Sequence, residues 1–315
     1  MADPPSSRAR APRGAGRCLR PAGAALSALL VTGLLVSPVF CWAGAAEPVS
    51  AAEPGVQPVP WPLREALLGA EPAAAVDAGA VLGAVATAAA DARGRLDVVV
   101  LDPAGRWLVR SPGADLPVYT ASLVKLLVVQ QLLAREAAGV MALDPATLLA
   151  MEQAITSSDD GAMNQLWDAH DGAALVQAAV ADFGLVGTAP PAQPGQWGQA
   201  TTTAGDVARF LGAMAGEPDA PDAAAVLRWM RAATATAADG FDQTFGLLSG
   251  GVDGGVAAKQ GWMCCVDDRR QLHSAGVLAD GRVVVLLAEA PGSSSWGQLA
   301  QAVDGAAAAL VAGTA

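Results

Sequence analysis

The sequence TASLVKLL, residues 120–127, places Ser122 and Lys125 three positions apart at the start of a predicted helix. Residues i and i+3 share one face of a helix, so the lysine amine can reach the serine hydroxyl. A serine becomes a good nucleophile only when a base takes its proton, and lysine can act as that base once burial lowers its pKa. Arginine stays protonated, and all but two of the 19 basic residues are arginine. We therefore predict that Lys125 is kept as the base for Ser122.

The other lysine, Lys259, begins the sequence Lys259-Gln260-Gly261 at the start of a predicted strand. A second ammonium in the same cleft would disfavour protonation of Lys125 and would bind a carboxylate of a substrate. The glycine two residues later allows a ligand to lie close to the strand edge. The prediction is that both lysines, although far apart in the sequence, meet in one site.

A third motif lies between these two, in the sequence TSSDDGAMN at residues 156–164. It holds a Ser-Asp-Asp triplet at residues 158–160, with Asn164 four residues further on, between two predicted helices. In this order, S-x-x-K, S-D-x and K-x-G, the motifs resemble those of the serine penicillin-recognising enzymes, and of class A β-lactamases in particular. Residues 201–211, TTTAGDVARFL, also resemble the segment that follows the Ω-loop in that family. The resemblance covers about residues 73–313.

The resemblance implies a role for each matching residue. Ser122 would be the acylated nucleophile, Lys125 its base, and Ser158 the proton shuttle to the leaving nitrogen. The backbone N–H groups of Ser122 and Trp262 would form an oxyanion hole that polarises the attacked carbonyl. The implied substrate contacts are Asp160, Asn164, Lys259, Gln260, Gly261 and Trp262. The resemblance implies neither a metal nor a cofactor.

The main departure from the family pattern is a missing acid. The β-lactamases of this family carry an Ω-loop glutamate that activates water to clear the acyl-enzyme. Residues 184–204 of this chain contain no Asp or Glu. The amides of Gln193, Gln196 and Gln199 can orient a water molecule, but a neutral amide cannot take its proton. Slow or altered deacylation is therefore expected.

Further departures alter the predicted substrate site. Asp160 stands where the family has asparagine, so its carboxylate accepts hydrogen bonds, repels an anionic substrate and raises the pKa of Lys125. Gln260 replaces a hydroxyl residue that would donate to a substrate carboxylate. Trp262 and Met263 are bulky on an edge where small residues are common, and they narrow the cleft. These changes predict altered or lost specificity for β-lactams.

The order of the predicted elements indicates an α+β fold. An apolar strand, the turn Asp102-Pro103-Ala104-Gly105 and a second strand form a hairpin near the start of the domain. Three more strands are predicted near its end, at about residues 255–265, 270–278 and 282–289. Helices are predicted at about residues 73–92, 122–138, 146–156, 161–183, 202–215, 221–233 and 295–312. This order predicts an antiparallel sheet of about five strands built from both chain ends, with an all-helical insert between them.

The first 45 residues have the pattern of an export signal. Five arginines precede an apolar run at residues 22–40, and Ala43-Gly44-Ala45 provides a small-residue cleavage site. Residues 46–72 form a Pro/Ala-rich tether, and residues 73–315 form the predicted catalytic domain. We expect a protein that is secreted or held in the extracytoplasmic cell envelope. The membrane is contacted only through the N-terminal segment, if that segment stays uncleaved.

The charge of the chain excludes two classes of partner. Residues 1–45 carry a net charge of +4, which leaves −15 on the remainder of a chain whose total is −11. A domain this acidic, with no visible basic patch, is not expected to bind nucleic acid or an anionic lipid surface.

Cys264 and Cys265 are the only cysteines after residue 45. Neighbouring residues of a strand point to opposite faces, so a bond between them would distort the strand. A buried, reduced pair is therefore favoured over a vicinal disulfide. No cysteine or histidine spacing indicates a zinc site.

Two hypotheses of different kinds follow. The first is an exported serine hydrolase that performs acyl transfer on a β-lactam or D-Ala-type amide through a Ser122 acyl-enzyme, with weak or altered deacylation. Its substrate would be a small molecule or a peptidoglycan-like amide. The alternative is a catalytically idle protein of the same fold that serves as a binding or scaffold module in the cell envelope.

Overall fold

The central sheet draws its strands from both ends of the domain, which confirms the predicted α+β class. A computed structural model describes residues 76–250, 252 and 254–315, and the predicted export signal and tether lie outside these residues. The sheet is fully antiparallel, with the strand order β2-β1-β7-β6-β5. The strands are β1 Arg95–Leu101, β2 Trp107–Arg110, β5 Ala257–Val266, β6 Arg269–Val277 and β7 Val283–Pro291.

Residues 98–101 of β1 are a continuous apolar run because both faces of the sheet are covered here. Val99 and Leu101 pack into the core on one face, whereas Val98 and Val100 pack into the core on the other face. Side chains alternate between the two faces of a strand, so a stretch that is buried on both faces is apolar at successive positions. The same alternation holds in the neighbouring strand β7.

The helices of the described residues divide between the two faces of the sheet. Helices α1 (Ala78–Asp91) and α8 (Trp296–Gly313) pack together on one face. The helical insert covers the other face. Its helices are α2 Val124–Ala137, α3 Pro145–Thr156, α4 Asp160–Ala169, α5 Gly172–Phe183, α6 Ala204–Gly216 and α7 Pro221–Arg231. Within the described part of the chain, no helix is both long enough and apolar enough to cross a membrane.

The single helix predicted at residues 161–183 is wrong, because the chain breaks between α4 and α5. Asp171 has a left-handed backbone, with φ of 51°, and a residue in that conformation cannot continue a helix. Its side chain accepts a hydrogen bond from the backbone N–H of Ala174, at 3.3 Å, and so caps the start of α5. The break lets α4 and α5 take different directions.

A short strand pair that the sequence did not predict holds the region around Ser122. Strands β3 (Val118–Tyr119) and β4 (Thr201–Thr202) are antiparallel. The backbone N–H of Thr120 donates to the carbonyl of Ala200 at 2.7 Å. The loop that precedes β4, residues 184–200, is thereby tied to the turn that carries Ser122.

The expectation of a buried, reduced cysteine pair is also wrong. Cys264 and Cys265 are exposed near the end of β5, and they form a vicinal disulfide. The pairing of β5 with β6 shifts register between Met263 and Val266. The strand is therefore irregular at the point where the bond between neighbours requires it to depart from ideal pleating.

The buried side chain of His273 connects the sheet to β3. Its Nε2 lies 2.8 Å from the carbonyl oxygen of Tyr119. A carbonyl can only accept, so Nε2 carries the hydrogen, and the other ring nitrogen has no hydrogen-bond partner among the described residues. Burial lowers the pKa of His273 from its ordinary value of 6.5 to about 4.

We expect His273 to make the protein less stable in mild acid. As the pH falls from 6.5 towards 4, the unfolded chain takes up a proton at this residue before the folded protein does. The free energy of unfolding therefore decreases across this window, by about 3 kcal/mol from this residue. The substitution His273→Gln keeps a donor for the Tyr119 carbonyl and removes the titration. Urea unfolding at a series of pH values should show a flatter profile for the variant, and parallel profiles would contradict the assignment.

Candidate active site

Ser122 lies in a tight 3₁₀ turn, Ala121–Leu123, immediately before α2. The preceding residue Ala121 has a left-handed backbone with φ of 46°, a conformation that non-glycine residues adopt mainly where the surrounding structure imposes it. Ser122 is only 4% exposed, yet it lines a cleft. The turn therefore places this hydroxyl at the wall of a cavity, as expected of a nucleophile.

The ammonium of Lys125 is completely buried and makes close polar contacts with the Ser158 region. It donates to the carbonyl oxygen of Ser158 at 2.6 Å and to a carboxylate oxygen of Asp160 at 2.7 Å. The hydroxyl of Ser158 lies 3.4 Å from the same nitrogen. Among the described residues, Ser122 is not one of its hydrogen-bond partners. The predicted direct contact between Lys125 and Ser122 is therefore absent from this arrangement.

Lys259, predicted to share a site with Lys125, reaches the same serine from the sheet side. Its ammonium, only 1% exposed, donates to the hydroxyl of Ser158 at 2.8 Å and to the backbone carbonyl of Gln260 at 2.8 Å. Ser158 itself has a left-handed backbone with φ of 54°. Two lysines that lie 134 positions apart in the sequence therefore converge on one serine.

Burial lowers the pKa of both lysines. Burial is the main cause that lowers the pKa of Lys125, and the nearby carboxylate of Asp160 opposes this effect. The pKa of Lys259 is well below its ordinary value, first because of burial and second because of the charge of Lys125. Both effects favour the neutral amine that a general base requires.

The cleft in front of Ser122 has a volume of about 410 Å³. Its wall is formed by the Ser122 turn, β5, α4 and the loop before β4. Its lining residues are Ala121, Ser122, Asp160, Asn164, Gly195, Gln196, Trp197, Gly198, Gln199, Trp262 and Met263. No group of three His, Cys, Asp or Glu side chains able to hold a metal occurs within residues 76–250, 252 and 254–315.

Trp197 is a cleft residue that the sequence reasoning missed. Its ring centroid lies 4.8 Å from the ammonium of Lys125. Its indole N–H donates to the side-chain oxygen of Asn164 at 2.7 Å. Asn164, predicted to contact substrate, lines the cleft and also holds this indole. The available signal was a single large aromatic in an acid-free loop, between Gly195 and Gly198.

The prediction that Gln260 contacts substrate is wrong. Its side chain is buried and donates to the backbone carbonyls of Gln243, at 3.1 Å, and Phe245. Successive residues of a strand point to opposite faces, and Lys259 already points to the Ser158 side. Gln260 consequently anchors a neighbouring loop and is not among the residues that line the cleft.

Gly261 serves the packing of the strand rather than leaving room for a ligand. A Cβ at this position would lie 3.3 Å from the carbonyl oxygen of Thr120 and 3.4 Å from the backbone nitrogen of Ser122. The glycine therefore lets β5 approach the Ser122 turn closely. The next residue, Trp262, lines the cleft and stacks on Phe241, with ring centroids 4.6 Å apart.

Asp160 presents its carboxylate to the cleft. Its side chain is 61% exposed, although one of its oxygens accepts from the buried Lys125. The preceding residue, Asp159, caps α4 by accepting from the backbone N–H of Ala162 at 2.9 Å. The two neighbouring acids thus have different roles: Asp159 caps the start of α4, and Asp160 faces the cleft.

In sequence, the chain is similar to mycobacterial proteins. It is 34% identical over 197 residues to proteins of Mycobacterium bovis and Mycobacterium tuberculosis named "Putative lipoprotein LppW". The match spans 62% of this chain and 62% of each relative, which is less than two thirds of either protein. No protein-family model matches the sequence.

In structure, the chain has the class A β-lactamase fold. A β-lactamase from Sphaerobacter thermophilus superposes with a TM-score of 0.60 at 18% identity, over 76% of this chain and 98% of that protein. A β-lactamase from Burkholderia vietnamiensis gives 0.60 at 20% identity, over 74% and 96%. A variant of the last common ancestor of the class A β-lactamases of Gram-negative bacteria gives 0.58 at 21%, over 74% and 97%. Identities this low establish the fold alone.

The two lysines provide a direct test of the site's electrostatics, because selective ¹³C labelling of lysine gives signals from only two residues. We expect both to titrate below 10.5 in the folded protein. In Asp160→Asn, the pKa of Lys125 should fall further, since the carboxylate that raises it is gone. NMR titration measures both values, and Lys259→Arg assigns the signals. A Lys125 signal that titrates near 10.5 would show that the site is wetter than described.

Proposed function

We propose that this chain is a serine acyltransferase or hydrolase of the cell envelope that forms an acyl-enzyme on Ser122. The observation that carries the proposal is the convergence of two buried lysines on Ser158 beside a cleft that Ser122 lines. Burying two ammonium groups is unfavourable for folding, and sites of this kind are where general bases with lowered pKa values are found. The substrate class is a strained or D-Ala-type amide.

The proposed reaction moves one proton through the site. Lys125, as the neutral amine, takes the proton of the Ser122 hydroxyl while the oxygen attacks the amide carbonyl. Ser158 then gives its proton to the departing nitrogen as the C–N bond breaks, and the Lys125 ammonium passes the proton that it took from Ser122 to Ser158. The backbone N–H groups of Ser122 and Trp262 are proposed to stabilise the oxyanion. Lys125 must move from Asp160 towards Ser122 for the first step.

Release of the acyl group is proposed to be slow. The loop of residues 184–200, whose residues 195–199 line the cleft, has no carboxylate. The side chain of this loop that reaches Lys125 is an indole, Trp197, which cannot take a proton from water. The cleft therefore supports formation of an acyl-enzyme better than its hydrolysis, as in a penicillin-binding protein.

The export of the chain is part of the proposal. The N-terminal pattern of residues 1–45 and the name that the mycobacterial relatives carry both support a location in the cell envelope. A peptidoglycan-like amide is then the substrate within reach. Cell fractionation tests the location, and recovery from the cytoplasm would contradict it.

A second candidate function rests on the ion pair between Lys125 and Asp160. This contact, at 2.7 Å, stabilises the charged ammonium, whose hydrogen-bond partners among the described residues do not include Ser122. If the pair persists with substrate bound, Ser122 has no base. The chain would then be a binding module that retains the fold.

Intact-mass measurement after incubation with a fluorescent penicillin separates the two candidates. We expect one adduct per chain, formed slowly and retained for hours, and located on Ser122 by peptide mapping. The variant Ser122→Ala should form none. Absence of an adduct on a folded wild-type protein, also with a D-Ala-type thioester, would contradict acylation and favour the binding module.

The loop substitution Trp197→Glu should accelerate release of the acyl group. It places a carboxylate, which can accept a proton from water, on the loop position that now reaches Lys125. We expect deacylation at least about tenfold faster than in wild type, consistent with the usual contribution of a general base. The matched variant Trp197→Gln opens the same space without a carboxylate. Loss of fluorescent adduct over time measures the rate, and equal acceleration in both variants would show that space, not basicity, is limiting.

A further inference from the structure

We propose that the cleft selects a substrate that carries a primary ammonium group, bound by the Asp160 carboxylate beside the indoles of Trp197 and Trp262. The claim that this ligand is a substrate rests on the proposed function. The binding preference itself stands on the cleft and is measured without acylation.

Asp160 is the only charged residue among the described residues that line the cleft. Its side chain is 61% exposed, and Lys125 occupies only one of its two oxygens. The second oxygen accepts no hydrogen bond among the described residues. The cleft therefore presents a free carboxylate oxygen to an incoming ligand, and that oxygen can accept from an ammonium.

The two cations near the cleft are not available to a ligand carboxylate. Lys125 and Lys259 are 0% and 1% exposed, and their hydrogen bonds go to Ser158, Asp160 and the Gln260 carbonyl. The Gln260 amide donates to the carbonyls of Gln243 and Phe245, so it is not available to an anion. An anionic ligand would thus meet a carboxylate without meeting an accessible positive charge.

The apolar part of the cleft also suits an alkylammonium ligand. Trp197 and Trp262 both line it, together with the thioether of Met263. The faces of indole rings attract cations and cover methylene groups. Trp197 is held by Asn164, and Trp262 is held by its stack on Phe241 and by a hydrogen bond of 3.1 Å to Asp239. Two indoles fixed in this way form a preorganised surface next to one carboxylate.

A matched pair of ligands tests this preference. The probes are Nα-acetyl-lysyl-D-alanine amide, which carries the ammonium, and its Nε-acetyl form, in which that charge is removed. Binding is measured by isothermal titration calorimetry on the Ser122→Ala protein, in which acylation cannot occur. We expect the ammonium form to bind about tenfold more tightly, the effect of one charge-assisted hydrogen bond with cation–π contact.

The substitution Asp160→Asn, added to Ser122→Ala, should abolish the preference, so that the dissociation constants of the two ligands agree within about twofold. Asp168→Asn is the matched control, since it removes the same charge from an exposed residue of the same helix, about 12 Å further along. It should keep the preference in full. Circular dichroism and thermal unfolding establish that each variant is folded.

The preference would be overturned by equal binding of the two ligands, by no binding of either, or by a preference that survives Asp160→Asn. Failure of Ser122 to acylate has a different signature, because the calorimetric preference on Ser122→Ala would be unchanged. The two proposals can therefore fail separately.

Discussion

The burial of two ammonium groups around one serine is the constraint on which the rest of the site depends. A buried charge is unfavourable unless hydrogen bonds and an opposite charge replace its hydration. Ser158 supplies both its carbonyl and its hydroxyl to Lys125 and Lys259, and its left-handed backbone is the conformation in which it does so. The glycine at 261 brings β5 close enough to the Ser122 turn for the arrangement to close.

Two departures from the class A pattern compensate each other in charge. The loop of residues 184–200 lacks an acid, which removes one negative charge from the cleft, and Asp160 in place of asparagine adds one. The carboxylate at 160 offsets the repulsion between Lys125 and Lys259, since it raises the pKa of both. The net charge of the cleft is therefore kept by Asp160, which faces a bound ligand, and not by a loop acid that would face the hydrolytic water. The change therefore shifts the expected chemistry from turnover towards binding and acylation.

The parts of the structure that the sequence predicted are those set by local pattern. Apolar runs separated by turn residues located the strands, and the rarity of lysine located the two buried ammonium groups. The errors arose where tertiary contacts decide the outcome. Gln260 turns towards Gln243 because of strand alternation, and the contact of Trp197 with Asn164 joins residues 33 positions apart. The predicted helix periodicity also extended through Asp171, a left-handed residue that separates α4 from α5.

The contact between Lys125 and Asp160 bears on both candidate functions. The solvent exposure of the Asp160 carboxylate decides how strongly it holds Lys125 in the charged form. The carboxylate is 61% exposed, so solvent screens its attraction for the buried ammonium. Burial of the amine acts in the opposite direction and is the larger effect on its pKa. A ligand ammonium bound to Asp160 would weaken the hold of that carboxylate on Lys125 at the moment when Ser122 needs a base. The acid that disfavours catalysis in the empty cleft would then couple binding of the correct substrate to activation of the nucleophile.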